Sequence, residues 1–298
     1  MRILITGAGG FLGSAVCEKL SQNHILLALS RNFDKLCLNS NIFCQNSEMA
    51  QYHKLSNLFE QFSPDIVIHC SWIGGSSFSD TEALSQTQNI SYSVDLLNLC
   101  VKYKIKHFIG FGSSSEFGQQ DKIFDEKTVC APQSLYGISK YSFKLISENY
   151  CKKNSISYSW VRPVFTYGPK DVTNRIIPKS IISFLRNEKL VLNECSSIVD
   201  YLYVDDFADA IFQIVENTLL GDFIICSDGQ VQVRELVTSL YKILKPNSEL
   251  IFDSKLNDTG NKYVCGTSQK LKSLSNWSPK VNLDEGLRKT IEYFSKLV

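Results

Sequence analysis

The chain has 298 residues, 44% of them hydrophobic, and a formal net charge of +1. That is long enough to bury a full core, and the near-neutral balance argues against disorder, nucleic acid or another polyanionic partner. The longest apolar runs, at residues 25–29 and 223–226, are too short to cross a bilayer. The opening Met1-Arg2-Ile3-Leu4-Ile5-Thr6 runs into a glycine loop and has no cleavable-signal layout, so a soluble cytoplasmic protein is expected. None of the ten cysteines stands in Cys-x-x-Cys spacing. Buried free thiols are therefore expected, rather than disulfides or a metal site.

In chain order, an apolar run at residues 2–6 leads into Gly7-Ala-Gly-Gly10-Phe-Leu-Gly13 and then a helical pattern through Leu20. Strand, glycine turn and helix form the context of a dinucleotide site. Gly7 permits the tight turn, Gly10 lets the backbone approach a pyrophosphate, and Gly13 lets helix and strand pack closely. The amides of Phe11 and Leu12 would face the phosphates. A second strand at 24–29 ends in Ser30-Arg31-Asn32. There, about 20 residues after the loop, an NAD enzyme usually presents an acid to the ribose hydroxyls. No acid comes before Asp34, and the planar fork of Arg31 suits a 2′-phosphate instead. NADP(H) is therefore the expected cofactor, with NAD(H) as the alternative.

A third strand is expected at 41–45 and a helix at 51–62. The fourth strand, 66–71, is continuously apolar, as in a buried parallel sheet. Cys70, Ser71 and Trp72 at its end, with Gly75 beyond, are expected on the nicotinamide side of the cofactor cleft. His69 lies within the strand and reads as a core histidine. A helix at 82–104 precedes a fifth strand at 107–112, which runs into Ser113-Ser-Ser-Glu116-Phe-Gly118. Hydroxyls at such a strand end can hold a substrate carbonyl.

After Pro132, Tyr136, Phe143, Ile146 and Tyr150 fall at helical spacing. Tyr136 and Lys140, four residues apart, then share a helix face. A free tyrosine titrates near pH ~10, and a cation one turn away lowers that value and makes the pair a usable general acid/base. The next strand, 156–162, closes at Pro163, also expected at the cofactor. Later elements are helices at 178–186 and 233–244, strands at 189–192, 223–227 and 250–252, a helix ending at Leu219, and a last helix from Leu283. The alternation predicts an α/β fold with a Rossmann-like, doubly wound parallel sheet. Residues 1–165, with about 195–226, would bind the dinucleotide. Residues 166–194 and 227–298 would form a smaller α/β substrate-binding region.

These motifs resemble the extended short-chain dehydrogenase/reductase family, in its nucleotide-sugar epimerase, dehydratase and 4-ketoreductase branch. The resemblance rests on the glycine loop, His69 after Asp65-Ile-Val-Ile, Asn89, Ser113-Ser-Ser-x-x-Gly118 and Tyr136-x-x-x-Lys140. It extends through Tyr167-Gly-Pro169, Asp200-Tyr-Leu-Tyr-Val-Asp-Asp206, and Trp277-x-Pro279 with Gly286-Leu287. It implies that Tyr136 exchanges the proton, Lys140 holds the nicotinamide ribose, and Ser113 (Ser114 a close second) is the catalytic hydroxyl. Asn89 is implied beside the cofactor, as a helix and proton-relay residue. A homodimer packed through the helix after Ser85 and the one starting at Tyr136 is also implied.

The departures bear on the reaction. Similar dehydratases carry an acid directly after the catalytic hydroxyl, where this chain has Ser114 and Ser115, with Glu116 one place late. Epimerases usually hold NAD through the missing acid after the second strand. Phe165 and Val199 replace an asparagine and an arginine that often meet the substrate diphosphate. Arg175, Lys179 and Arg234 are then candidates for phosphate, and Ser114, Ser115, Tyr136 and Phe165 for the rest of a nucleotide-sugar substrate. The expectation is NADPH-dependent reduction of a 4-keto-6-deoxy sugar nucleotide. An epimerase and a non-catalytic NADP-binding protein are the alternatives.

Overall fold

The computed structural model describes residues 1–74, 83–257 and 262–298. Six apolar runs become β1 (Arg2–Thr6), β2 (Ile25–Ser30), β3 (Ile42–Asn46), β4 (Ile66–His69), β5 (His107–Phe111) and β6 (Ser157–Pro163). The short strands β7 (Phe165–Tyr167), β8 (Leu190–Leu192), β9 (Ile198–Val199) and β10 (Tyr201–Tyr203) precede β11 (Gly221–Ile225). After it come β12 (Val231–Gln232), β13 (Leu250–Phe252) and β14 (Tyr263–Val264). The helices are α1 (Phe11–Leu20), α2 (Ser56–Phe62), α3 (Ala83–Lys102), α4 (Leu135–Lys153), α5 (Ile176–Leu185), α6 (Val204–Glu216), α7 (Val233–Leu244), α8 (Gln269–Leu274) and α9 (Leu283–Ser295).

Seven strands form one parallel sheet in the order β11-β6-β5-β4-β1-β2-β3. Strand order reverses between β1 and β4, and ligands of such sheets bind outside the carboxyl ends at that switch point. Alternate residues of β1 serve opposite faces. Ile3 and Ile5 join a core with α1 and α6, while Leu4 joins one with α3 and α4. A third core, built on Tyr167, Phe184, Tyr203, Leu236 and Phe294, lies among the short strands, α5, α7 and α9. Two sequence motifs meet at the start of α6. The Trp277 indole donates to the Asp206 carbonyl at 3.0 Å, and the Asp206 carboxylate accepts from the Lys280 and Val281 amides at 3.0 Å each.

One expected element is divided. Residues 51–62 are a 3₁₀ turn at Met49–Lys54 followed by α2. Met49 and Tyr52 are the buried members of the turn, and their three-residue spacing matches the 3₁₀ repeat. Gly75 and Glu82, expected beside the cleft and at the start of α3, lie outside the described residues. All ten cysteines are free; Cys37 and Cys44 are exposed rather than buried. Among the described residues no helix is long and apolar enough to cross a membrane.

His69 is fully accounted for within the core. The Ser93 hydroxyl donates to the Asn89 carbonyl at 2.7 Å, so it accepts from His69 Nε2–H at 2.8 Å. Nδ1, left as an acceptor, faces the Thr6 hydroxyl at 2.7 Å. Burial pulls the His69 pKa down to about 3 and that of His107 to about 4. An unfolded chain binds these protons near pH ~6.5, so each buried histidine loses the fold stability as pH drops below that value. Buried Asp200, raised to about 6, works in the opposite sense and masks part of the loss. A difference measurement isolates one site. Between pH ~6 and ~5, urea unfolding of the wild type should lose about 1 kcal/mol more stability than His107→Gln.

Candidate active site

A cleft of about 1510 Å³ runs along the carboxyl ends of β1, β2, β4, β5 and β6. Its cofactor-side wall begins at the glycine loop. Gly7 has φ +68°, and a Cβ on Gly13 would collide with the Gly7 carbonyl. Gly10 caps α1 without a side chain, so the amides of Phe11 and Leu12 open onto the cleft with no side-chain cap. Gly9, not singled out by the sequence reading, packs so tightly on the Asn32 carbonyl that any Cβ would collide with it.

Ser30, Arg31 and Lys35 line the wall beyond β2. Arg31 is exposed and makes no side-chain hydrogen bond or ion pair among the described residues. Lys35 donates to the Lys170 carbonyl at 2.6 Å, tying this loop to the segment after Tyr167. Across the cleft lie Cys70, Ser71, Trp72 and Pro163. Asn89 is placed differently from expectation. It is buried and outside the cleft lining, where its amide clamps both the N–H (2.8 Å) and the carbonyl (2.9 Å) of Ile73. It therefore holds the loop after β4 rather than facing the cofactor side.

Ser113 follows β5 and caps a 3₁₀ turn at Ser114–Phe117. Its hydroxyl accepts from the Ser115 amide at 3.1 Å, while Glu116 reaches back to the Ser113 amide at 2.9 Å. α4 starts with Ser134, whose hydroxyl accepts from the Gly137 amide at 3.0 Å. Tyr136 thus sits in the first helical turn, hydrogen-bonded to Ser113. Lys140 follows one turn on, its amine donating to the Phe111 carbonyl at 2.7 Å and lying 4.1 Å from the Trp72 ring centroid. Ser113, together with Tyr136 and Lys140 more than twenty residues later, lines one wall of the cleft.

The electrostatics differ from the sequence expectation. Burial pushes the Tyr136 pKa up to about 12, with the Glu116 charge adding to the rise. The groups that draw it down are the Ser113 hydroxyl and the Arg175 charge, not Lys140. Lys140 is itself pulled down to about 7 by burial, against the support of Glu116 and Cys70. The Lys140 amine lies 6.0 Å from the centroid of the Tyr136 ring.

At the other end of the cleft stand Ser114, Ser115, Phe165 and Arg175, with Val199, Tyr201, Val233 and Val264. Arg175 donates to the Thr166 carbonyl at 3.0 Å and pairs with buried Asp171 at 3.3 Å. The other two phosphate candidates are outside the lining. Lys179 is on the exposed side of α5, and Arg234 is paired with Glu194 at 2.9 Å.

A glycine cradle at a switch point, beside a Ser-Tyr-Lys wall, is the pattern of one large enzyme family. The model of the NAD dependent epimerase/dehydratase family matches residues 3–225. The chain belongs to that family. The human dTDP-D-glucose 4,6-dehydratase is 24% identical over 98% of this chain and 89% of its own length. The CDP-abequose synthase of Salmonella typhimurium is 25% identical, with 97% of each chain covered. The UDP-glucuronic acid 4-epimerase of Bacillus cereus, solved with UDP-glucuronic acid and NAD, matches at a TM-score of 0.91 and 25% identity over 100% of both chains. As an epimerase/dehydratase family member of the extended short-chain dehydrogenase/reductase type, the protein is an enzyme dependent on a nicotinamide dinucleotide. Its residues fit such a group: the tight turn at Gly7 and the close packing at Gly13 bring the start of α1 to the cleft, where its uncapped amides suit a pyrophosphate.

The start of α4 rests directly on the turn after β5, because a Cβ on Gly137 would collide with the Ser115 carbonyl. Gly137→Ala should therefore push Tyr136 off Ser113. The expected result is a kcat about 10-fold to 100-fold lower, with dinucleotide affinity, measured by fluorescence titration, nearly unchanged.

Proposed function

We propose that the protein uses NADPH to reduce the 4-keto group of a nucleotide-linked 6-deoxy sugar, in cytoplasmic deoxysugar or surface-polysaccharide biosynthesis. The observation that carries this reading is Arg31, exposed on the cofactor-side wall at the position where an acid would meet a free 2′-hydroxyl. Its guanidinium suits a 2′-phosphate, and it has no side-chain partner to surrender among the described residues. Two further features support reduction. Tyr136, held near 12, carries its proton at neutral pH and so begins as an acid, which reduction requires. Glu116 is turned away from the cleft into a buried contact with Arg162 and Trp160, so the catalytic turn offers no carboxylate for removing water.

In this reading Gly7, Gly10, Gly13 and the α1 amides hold the pyrophosphate, Arg31 the 2′-phosphate, and Lys140 the nicotinamide ribose. When bound, NADPH supplies a hydride. Ser113 fixes the carbonyl oxygen, and Tyr136 gives its proton to the oxygen as it becomes an alkoxide. Residues 1–165, with about 195–226, form the dinucleotide half. Residues 166–194 and 227–298 form the substrate region, where Arg175 takes phosphate charge. The likeness to the UDP-glucuronic acid 4-epimerase favours a second reading, a nucleotide-sugar epimerase using the same three residues reversibly.

Absorbance at the reduced-nicotinamide band, with NADPH and then NADH, against a panel of nucleotide 4-keto-6-deoxy sugars separates the two. Reduction predicts stoichiometric NADPH loss that disappears in Tyr136→Phe. Arg31→Ala should then raise the KM for NADPH about tenfold or more and leave that for NADH nearly unchanged. A tightly retained dinucleotide with no net consumption would instead establish epimerisation.

We also infer a homodimer built on α3 and α4. Leu135, Ile138, Leu145 and Ile146 on α4, and Leu84 on α3, are exposed apolar residues of two helices that pack side by side. Light scattering should give twice the chain mass for the wild type and a single chain for Ile138→Glu/Leu145→Glu. A monomeric wild type would refute the assembly.

A further inference from the structure

The turn after β5 holds a carboxylate that the proposed chemistry leaves unused. Glu116 is fully buried, under Ser113 rather than in the cleft lining. One oxygen accepts from the Ser113 amide at 2.9 Å, and both accept from the Trp160 indole at 3.1 Å. The second oxygen takes the Arg162 Nε–H at 2.7 Å, and Arg162 reaches on to Asp222 at 2.7 Å. Donors from β6 and from its own turn thus fix the carboxylate on several sides. A carboxylate so deep is sustained as an anion only beside a cation, which Arg162 provides.

This carboxylate is tied to the proposed catalytic wall through the Ser113 amide. It holds the Ser113 backbone, Ser113 holds Tyr136, and its charge acts on both Tyr136 and Lys140. We propose that Glu116 is a positioning residue of this active site: it locks the Ser113 backbone so that the hydroxyl stays on Tyr136, and it is the buried counter-charge of Lys140. The proposal rests on the reading of Ser113, Tyr136 and Lys140 as the catalytic set. Other charged and titratable groups face the same cluster. Cys70 faces Lys140 from the end of β4, and Arg175 faces Tyr136 from the start of α5. Behind Arg162 stand Asp222, Cys130 and Lys144, the last 3.4 Å from Asp222.

The sign of the effect is fixed. Glu116 supports the charged form of Lys140, so its loss makes the amine give up its proton at lower pH. A ¹³C NMR titration of enzyme labelled at the lysine Cε reads this directly, with Lys140→Met identifying the signal. In the wild type that signal should titrate near pH about 7. In Glu116→Gln it should move about half a unit or more lower. With a responding substrate, kcat should fall about 10-fold to 100-fold, while KM changes less than about twofold.

Glutamine leaves Arg162 without its counter-charge, so Glu116→Gln/Arg162→Met, which removes both charges, serves if the single variant does not fold. An unmoved Lys140 titration in a folded variant would overturn the proposal, whatever happens to turnover. A shifted titration in a protein that turns over no keto-sugar would leave the role of Glu116 standing and count against the reductase reading.

Discussion

Removing a carboxylate and a guanidinium from water costs several kcal/mol per ion, recovered only where the partners are close and fully bonded. The Glu116–Arg162 pair, 2.7 Å apart with both side chains nearly inaccessible, is such a case, and much of the architecture is arranged to meet its demands. Trp160 and Arg162 are two apart on β6, so both project from the same face of the strand toward Glu116. Room for them comes from β5 and its end, where a Cβ on Gly110 or Gly112 would collide with the Trp160 ring. The turn after β5 is therefore anchored from below by β6. From the side it is pressed by α4, whose Gly137 allows contact with the Ser115 carbonyl. Ser113 meets Tyr136 because both constraints act on a turn of only a few residues.

The cofactor side depends on a different kind of closeness. Three glycines let backbone touch backbone where side chains would hold the segments apart: Gly7 against Cys70 and Ser71 after β4, Gly13 of α1 against Gly7, and Gly9 against the residues after β2. The same loop is tied across the cleft through Lys35 and the Lys170 carbonyl, and Lys170 in turn pairs with Glu18 of α1 at 2.6 Å. Arg31 thus projects from a braced loop.

The sequence made some of this legible and hid the rest for identifiable reasons. Periodicity and glycine spacing are local, so β1 with its loop, the buried run of β4, and Tyr136 and Lys140 on one helical face could be read directly. Their convergence on one cleft followed from the alternation of strand and helix. Glu116 was visible only as an acid one place late. Its partners, Arg162 and Trp160, stand more than forty residues on, and no local pattern joins them. Gly137 and Gly9 carry no signal of their own, since the clash that demands glycine comes from a distant carbonyl. Asn89 was read toward the cofactor, but a lone asparagine in a helix gives no indication of which backbone it will clamp. The titration of Tyr136 was misjudged because sequence spacing reports a neighbouring cation, whereas burial, the larger influence, is a property of the folded cleft.

That last point changes how the tyrosine–lysine pair works. Tyr136 at about 12 and Lys140 at about 7 describe a wall on which the tyrosine keeps its proton and the lysine is partly neutral. An acid is useful to a forming alkoxide only if it can give its proton up, and giving it up creates a buried phenolate. At that moment the balance at Lys140 reverses. In the proposed reduction, a phenolate developing on Tyr136 would favour the ammonium form of Lys140. In the proposed reduction that support would grow only as phenolate develops, and so would favour the transition state over a bound ketone. A lysine charged permanently would stabilise the phenolate before transfer and blunt the acid. In the proposed reduction, a lysine poised near neutrality beside the buried Glu116 would respond to the transfer as it happens.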